Sequence, residues 1–191
     1  MKEAILLTAF FLITFFLMPK KAKGSSVAAK NLDAFLKTIQ YAEGTYKSLN
    51  PYAVTFGYDH IILDFSDHPT ITGEWTGKLL PDRICLGAGL RPGCKSTAAG
   101  AYQILKPTWI TIKKAIPNLK FDQLGQDEGA LYLINQKNAT QYILSGAFEQ
   151  AINKINRVWA SLPGSPYGQP TRSMSALRKF YLEQGGQLQE V

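Results

Sequence analysis

The sequence LDAFLKTIQYAEG, residues 32–44, repeats its apolar side chains at the spacing of an α-helix. Four of them fall on one face: Leu32, Phe35, Leu36 and Ile39. Glu43 lies four residues after Ile39 on the same face, and Gly44 follows it directly. The stretch therefore predicts an amphipathic helix whose last turn directs a carboxylate toward the protein interior.

Glu43 has the surroundings that keep a carboxyl group neutral. Burial penalises the charged form, and the C-terminal end of a helix carries partial negative charge, so both should raise the pKa of Glu43. A raised pKa is what a general acid needs near neutral pH. The alternative is that Glu43 lies at a frayed helix end in solvent, and the spacing alone leaves both interpretations open.

The length and composition are typical of one globular domain. The chain has 191 residues, of which 46% are hydrophobic, enough for one sizeable core with little room for a second. Its formal net charge is +7, but residues 1–30 hold five Lys and one Glu, so residues 31–191 carry only +3. No run of Lys and Arg with interleaved aromatic residues occurs there, so we expect no nucleic-acid partner but a mild attraction to an anionic polymer or envelope surface.

An uncharged apolar segment, AILLTAFFLITFFLM, spans residues 4–18 and is followed by PKKAK. It is shorter than the ~20 residues of a spanning helix and suits a signal peptide or a short anchor. We expect residues 1–24 to be a signal or signal-anchor segment and residues 25–191 to be the folded domain. We favour an uncleaved anchor, because the lysines around Ala22 make a poor cleavage site. One Lys precedes the segment and three follow it, a bias that by itself would keep the domain in the cytoplasm.

Cys85 and Cys94 enclose a glycine-rich stretch, LGAGLRPG, that has little means of ordering itself. A disulfide between them would close this loop and contribute about 2.5–3 kcal/mol in the chain-entropy model. Such a bond requires an oxidising compartment, which argues for export and against the lysine bias. Two unrelated thiols are the alternative, and two Cys without a nearby His provide too few ligands for a metal site.

Beyond the first helix, residues 52–65 are rich in aromatic and β-branched side chains and predict one or two short strands. Residues 70–95 are expected to be mostly loop. Helical patterns then return over five segments: 98–105 after a Ser-Thr cap, 107–117 between two prolines, 126–136, 147–160 and 173–184. Most of the predicted elements are helices, with a small insertion of strands after the first helix. We therefore expect an α+β domain of two unequal lobes.

Five short motifs carry a family resemblance: YAEGT (41–45), FGYD (56–59), FSDHP (65–69), KSTAAGAYQIL (95–105) and WASLPGSPYGQ (159–169). In order and spacing they resemble the lambda-type phage endolysins, a family of lysozyme-like peptidoglycan lytic transglycosylases that act in bacterial cell lysis. The resemblance covers residues 31–187. The segment around Cys85 and Cys94 is longer than the family pattern, and the apolar segment 4–18 is not part of it.

The resemblance implies a lysozyme-like fold, with a mainly helical lobe, a small β-lobe and a cleft between them, and it assigns Glu43 as the catalytic acid. Glu43 would protonate the glycosidic oxygen between N-acetylmuramic acid and N-acetylglucosamine. The ionised carboxylate would then take the proton of the muramic acid C6 hydroxyl, which closes on C1 to form a 1,6-anhydro sugar.

The resemblance implies peptidoglycan glycan strands as the partner. The apolar segment 4–18, by its own composition, predicts the inner membrane as a second partner. No cofactor and no metal are expected. We expect a monomer, either anchored in the bacterial inner membrane or exported to the periplasm.

The segment 96–103 is the main candidate for substrate binding. Its small residues allow close backbone approach, and Tyr102 and Gln103 offer a ring for a sugar face and an amide for an acetamido group. The resemblance favours cleft lining, whereas the alternative is a small-residue helix crossing with Tyr102 in the core. The full set of substrate-binding candidates is Tyr58, Asp59, Ser96, Thr97, Gly100, Tyr102, Gln103, Tyr167 and Gln169.

Asp59, Asp64 and Asp67 are candidates for the second carboxylate that ordinary glycosidases need. Asp67 is also typical of a turn, and Asp59 also suits sugar binding or positioning of Glu43. His60 and His68 lack partners at the spacing of a metal site or a catalytic triad, so we expect them to be structural.

Two other functions are compatible with these residues. A muramidase would share the fold and Glu43 but would recruit water, so that only the reducing end of its product differs. A non-catalytic, membrane-anchored wall-binding protein would keep the fold without turnover. The presence of Glu43 at the motif position argues against the binding protein.

Overall fold

The computed structural model describes residues 26–190, which form a mainly helical molecule with one small sheet. The helices are α1 (Val27–Glu43), α2 (Pro69–Thr72), α3 (Asp82–Gly87), α4 (Lys106–Ala115), α5 (Gln123–Gln136), α6 (Thr140–Ser145), α7 (Phe148–Ile155) and α8 (Met174–Glu183). Two antiparallel strands, β1 (Lys78–Leu79) and β2 (Lys95–Ser96), form the sheet. This arrangement confirms the predicted α+β class.

Helix α1 is the predicted amphipathic helix, extended by one turn at its start. Ser26 caps the N-terminus, because its side-chain oxygen accepts the N–H of Ala29 at 3.3 Å. Phe35 and Ile39 are fully buried where α1 packs against α6 and α8. Gly44 ends the helix in a left-handed conformation, with φ +81, as a C-terminal glycine commonly does.

The core is built from aromatic and branched side chains of the helical lobe. Trp109 of α4 and Phe121 contact each other edge to face, with ring centroids 4.8 Å apart, and both are fully buried. Phe35 of α1 meets Phe148 of α7 in the same way at 5.9 Å. The contact between Phe35 and Phe148 ties the first helix to the C-terminal half of the chain.

The strands predicted within residues 52–65 are wrong. We define residues 51–96 as the small lobe. Its first part forms 3₁₀ turns at Pro51–Ala53 and Phe56–Tyr58 and two isolated bridges, Val54 to Ile61 and Thr55 to Ala99. Gly57 and Tyr58 both have positive φ, +66 and +55, which an extended strand does not accommodate. The sheet lies later in the chain, where Lys78–Leu79 pairs with Lys95–Ser96.

The helix predicted for residues 98–105 is also absent. The segment is a tight turn in which Ala99 bridges Ile104, because Gly100 and Gln103 adopt left-handed backbone conformations with φ +74 and +47. The fully buried Gln126 holds this turn, since its Oε1 accepts the N–H of Ala101 at 2.8 Å. A buried amide in α5 therefore overrides the local helical pattern.

The remaining helix predictions are confirmed within a few residues for α4, α5 and α8. Helix α7 is shorter than predicted and ends at Ile155, because Trp159 turns inward and its indole N–H donates to the carbonyl of Tyr102 at 3.0 Å. The predicted place of Trp159 in the core is confirmed. Helices α2, α3 and α6 were not predicted, since each has at most six residues.

Cys85 and Cys94 form the predicted disulfide, which closes the loop that follows α3. No helix among residues 26–190 is both long and apolar enough to cross a bilayer. The predicted membrane-directed segment 4–18 lies outside the described residues.

Candidate active site

Glu43 is the last residue of α1, and its carboxylate meets a serine from a distant part of the chain. The hydroxyl of Ser161 donates a hydrogen bond to Glu43 Oε1 at 2.5 Å. Burial raises the pKa of Glu43 from its ordinary 4.5 to about 7, and the bond from Ser161 opposes that rise because it favours the charged form. Near neutral pH both protonation states of Glu43 are populated, as acid–base catalysis requires.

The loop that carries Ser161 is fixed against α1 and the core. The backbone N–H of Arg172 donates to the carbonyl of Ser161 at 2.9 Å. The guanidinium of Arg172 lies over the ring of Tyr41, 4.9 Å from its centroid, and Tyr41 stands two residues before Glu43 in α1. Arg172 therefore links the backbone of Ser161 to α1. Sequence reasoning gave this residue no role, although it lies within one of the five matched motifs.

The turn after Glu43 is held by two other segments. The hydroxyl of Tyr58, from the small lobe, donates to the carbonyl of Gly44 at 2.7 Å. The hydroxyl of Thr45 lies 2.6 Å from the carbonyl of Ala101. The small lobe, the 98–105 turn and the Ser161 loop thus converge on the C-terminal end of α1.

Tyr102 does not occupy the place predicted for it. Its side chain is 1% exposed, and its hydroxyl donates to Asp127 Oδ1 at 2.5 Å. Tyr52 donates to the same oxygen at 2.9 Å, and the amide of Gln40 lies 3.3 Å from both phenol oxygens. A ring packed in this way is not available to a sugar face, so the core interpretation of Tyr102 is the correct one.

The other candidates in segment 96–103 form hydrogen bonds with the backbone of the segment and of Lys106, which follows it. The hydroxyls of Ser96 and Thr97 accept backbone N–H groups at 3.3 and 3.1 Å. The amide of Gln103 donates to the carbonyl of Gly100 at 3.0 Å. The Gln103 amide is therefore engaged inside its own turn.

Tyr167 and Gln169 lie on the same loop as Ser161, and both are exposed. The hydroxyl of Tyr167 donates to the carbonyl of Arg157 at 2.8 Å. Among the hydrogen bonds of residues 26–190, neither side chain contacts the carboxylate of Glu43.

The family model for endolysins matches residues 33–188 of this chain. The chain belongs to the endolysin family. Among its relatives, the endolysin of Escherichia phage P2 is 34% identical over 167 residues, which cover 82% of this chain and 94% of that protein. The endolysin of Escherichia phage lambda is 34% identical over 163 residues, which cover 83% and 93%.

Two solved structures share the fold of this endolysin. Bacteriophage lambda lysozyme complexed with a chitohexasaccharide matches with a TM-score of 0.69 and 32% identity, covering 84% of this chain and 97% of that one. A second structure, lysozyme from bacteriophage lambda, matches with a TM-score of 0.66 at the same identity and coverage. These likenesses confirm the lysozyme-like fold and the lambda-type resemblance.

The three candidate second carboxylates of this endolysin all have other partners. Asp59 accepts the indole N–H of Trp75 at 3.1 Å, and Asp64 accepts the N–H of Ser66 at 2.9 Å. Asp67 accepts hydrogen bonds from the indole of Trp109 at 2.7 Å and the ammonium of Lys113 at 2.5 Å. These bonds, the ion pair and the N–H of His68 together hold the pKa of Asp67 below its usual range, although burial opposes them.

The two histidines have structural partners, as predicted. His60 pairs with Glu74 at 2.8 Å within the small lobe. His68 is fully buried, its Nε2 lies 3.0 Å from the carbonyl of Ile104, and burial lowers its pKa. Residues 26–190 contain no cluster of three or more His, Cys, Asp or Glu side chains suited to a metal ion.

Proposed function

We propose that this endolysin is a lytic transglycosylase that cleaves the bond between N-acetylmuramic acid and N-acetylglucosamine in peptidoglycan. Glu43 is the catalytic acid and then the base. The likeness to a lysozyme complexed with a chitohexasaccharide supports a glycan substrate. The observation that carries the proposal is the half-buried Glu43 carboxylate, which bonds Ser161 and has a pKa of about 7 to which no other carboxylate of residues 26–190 contributes.

In the first step the neutral Glu43 gives its proton to the glycosidic oxygen as the bond to C1 breaks through an oxocarbenium-like state. In the second step the ionised Glu43 takes the proton of the C6 hydroxyl, and that oxygen bonds to C1. The proton returns to Glu43 and no water is consumed. A pKa near 7 suits both steps, because the group must lose and regain a proton in each cycle.

Ser161 serves both steps as a positioning residue. Its hydroxyl donates to Glu43 Oε1, which orients the carboxyl group and stabilises the ionised form that the second step requires. Without this bond, burial alone would favour the neutral form more strongly, and a smaller fraction of Glu43 would be ionised near neutral pH.

The isolation of Glu43 argues against a two-carboxylate hydrolase. Retaining glycosidases place a second carboxylate about 5 Å from the acid, and a neighbouring charge at that distance would perturb its pKa. Within residues 26–190, only burial and the Ser161 hydroxyl shift the pKa of Glu43. Asp59, Asp64 and Asp67 are bonded elsewhere.

We further propose that the glycan runs past the end of α1 between Tyr58 and the Ser161 loop. Tyr58 is exposed beside Gly44, so its ring is available to a sugar. Asp59 supplies an acceptor on the same side. Across the glycan from Tyr58, the exposed side chains of Tyr167 and Gln169 line the cleft from the Ser161 loop. The floor of the cleft is the backbone of the turn, at Ser96, Thr97, Gly100 and Gln103.

The experiment is mass spectrometry of muropeptides that the full chain releases from purified peptidoglycan. Wild type should release products about 18 mass units lighter than hydrolysed ones, because anhydro ring closure eliminates one water. Glu43→Gln should release none while its circular dichroism stays unchanged. Asp64→Asn is the matched control, an exposed carboxylate that should leave the anhydro product intact.

Each other outcome contradicts part of the proposal. Reducing-end products from wild type would make the enzyme a muramidase, and their loss in Asp64→Asn would identify the second carboxylate. No product from a well-folded wild type would favour a wall-binding protein instead.

We also propose that residues 1–24 direct the domain to the inner membrane and that the domain acts as a monomer on its periplasmic side, anchored or released. The disulfide between Cys85 and Cys94 supports an oxidising compartment. The +3 charge of residues 31–191 is compatible with the anionic envelope.

A further inference from the structure

The disulfide-closed segment 79–95 exposes large aliphatic side chains that the core does not use. Leu79, Leu86 and Leu90 are 63%, 60% and 52% exposed, and Ile84 is 44% exposed. Only Cys85 of α3 is fully buried, and Ile84 and Leu86 flank it. Several exposed aliphatic side chains within one short segment point to a site of interaction.

The same segment is basic. It contains Arg83, Arg91 and Lys95 against a single acid, Asp82. The carboxylate of Asp82 accepts the N–H of Gly93 at 3.1 Å, and none of the three cations forms an ion pair with any residue in 26–190. Cationic and aliphatic groups therefore share one exposed loop.

Bonds within the segment itself hold the loop in its conformation. The disulfide joins its two sides, with the Cα atoms of Cys85 and Cys94 5.7 Å apart. The N–H of Leu90 donates to the carbonyl of Cys85 at 2.8 Å, and the N–H of Leu80 to that of Cys94 at 3.0 Å. Binding through this loop would lose little conformational entropy.

We propose that segment 79–95 is a docking surface for the anionic lipid bilayer. The cations face the headgroups and the aliphatic side chains enter the boundary between headgroups and acyl chains, as in interfacial protein segments. An anionic wall polymer would satisfy the charges but offers no apolar phase for Leu86 and Leu90. A second copy of the chain would bring a surface of the same sign. Leu79, Ile84, Leu86, Leu90, Arg83 and Arg91 have no role in the proposed cleavage, so the inference does not depend on that chemistry.

The test uses the full chain with Leu90→Trp and vesicles whose acyl chains are brominated. The three native tryptophans, Trp75, Trp109 and Trp159, are buried, so the new indole is the accessible one. Its emission should be quenched by brominated phosphatidylglycerol vesicles and not by brominated phosphatidylcholine vesicles. Added salt should reverse the quenching, because exposed charges are screened.

Leu124→Trp is the matched control, since Leu124 is 72% exposed on α5. It should not be quenched, which separates contact through the loop from contact through residues 4–18. Arg83→Gln combined with Arg91→Gln, in the Leu90→Trp chain, should lose most of the quenching. Turnover of purified peptidoglycan by that chain should not change.

Three results would overturn the proposal. The first is a chain that sediments with phosphatidylglycerol vesicles without quenching of the indole at 90. The second is equal quenching in neutral vesicles or at position 124. The third is an indole at position 90 whose emission changes only when isolated wall polymer is added and not with any vesicle. That result would identify the polymer as the partner.

Discussion

Glu43 shows how one residue acquires its chemistry from two opposing effects. Burial at the end of α1 raises its pKa, and the hydroxyl of Ser161 lowers it, with a result of about 7. Neither effect alone suits a group that must act as an acid and then as a base. The balance depends on one hydrogen bond of 2.5 Å between residues 118 positions apart.

Replacing Ser161 with alanine should move the alkaline limb of the kcat/KM profile to higher pH. The bond favours ionised Glu43, so its removal leaves burial unopposed and raises the pKa. The maximal rate should fall by about 10-fold, comparable to the loss of a hydrogen bond to a charged group. The pH dependence of kcat/KM on purified peptidoglycan measures both effects.

Ser165→Ala is the matched control for that experiment. Its hydroxyl is buried on the same loop and makes no hydrogen bond. The alkaline limb should stay where wild type has it. An equal shift in both variants would mean that loop packing, and not the bond to Glu43, sets the profile.

Glu43→Gln should stabilise the protein above neutral pH. A carboxyl whose folded pKa is about 7, against 4.5 unfolded, contributes stability that is fully present below pH 4.5 and lost as pH rises through 7. The glutamine side chain does not titrate, so the variant does not lose this stability. Its unfolding free energy relative to wild type should therefore rise between pH 4.5 and 7, by at most about 3 kcal/mol. Urea unfolding of both proteins from pH 4 to pH 8 measures the difference, and a constant difference would show that burial does not raise the pKa.

At the scale of an element, the turn at 98–105 exists because α5 imposes it. Gln126 is fully buried, accepts the N–H of Ala101 and donates to the carbonyls of Tyr52 and Phe121 at 2.9 and 2.7 Å. Gly100 makes room for this amide, because a Cβ at Gly100 would lie 2.1 Å from Gln126 Oε1. Within this turn, the carbonyl of Ala101 accepts the hydroxyl of Thr45, the second residue after Glu43.

Gly100→Ala should destabilise the protein by about 2–4 kcal/mol, the sum of a left-handed backbone and the disruption of buried hydrogen bonds. Gly73→Ala is the control, because Gly73 has a similar φ of +88 and open space where the Cβ would lie. It should lose only about 1–2 kcal/mol. Urea unfolding compares them, and equal losses would show that the contact with Gln126 is not what requires glycine.

At the scale of the whole molecule, the C-terminal part of the domain is hydrogen-bonded to the first turns of α1. Asn31 is fully buried, its Oδ1 accepts the N–H of Gln187 at 2.7 Å, and its amide donates to the carbonyl of Leu144 at 3.4 Å. The start of the helical lobe is thereby joined to its end. Ser26 caps the start of α1.

Deletion of residues 1–24 should leave the cleavage of purified peptidoglycan and the unfolding free energy unchanged. The remaining chain keeps the Ser26 cap and both bonds of Asn31. Deletion of residues 1–31 is the matched comparison and should cost about 2 kcal/mol or more, because it leaves the partners of Asn31 without a hydrogen bond. Lost activity in a folded 25–191 chain would give the N-terminal segment a role beyond targeting.

The sequence by itself determined the features that depend on local spacing. The apolar face of residues 32–43, the position of Glu43 at its end and the helices α4, α5 and α8 follow from periodicity and from proline and glycine positions. The disulfide followed from a short glycine-rich loop between two cysteines. The five ordered motifs were sufficient for the family and the lysozyme-like fold.

Only the tertiary structure decided what distant residues do to one another. The bond from Ser161 to Glu43, the burial of Tyr102 against Asp127 and the turn imposed by Gln126 all join segments far apart in the chain. The aromatic stretch near residue 56 became 3₁₀ turns instead of strands, because Tyr58 folds back onto Gly44 with positive φ. Hydrogen bonds and burial depend on which surfaces meet, and local sequence patterns do not contain that information.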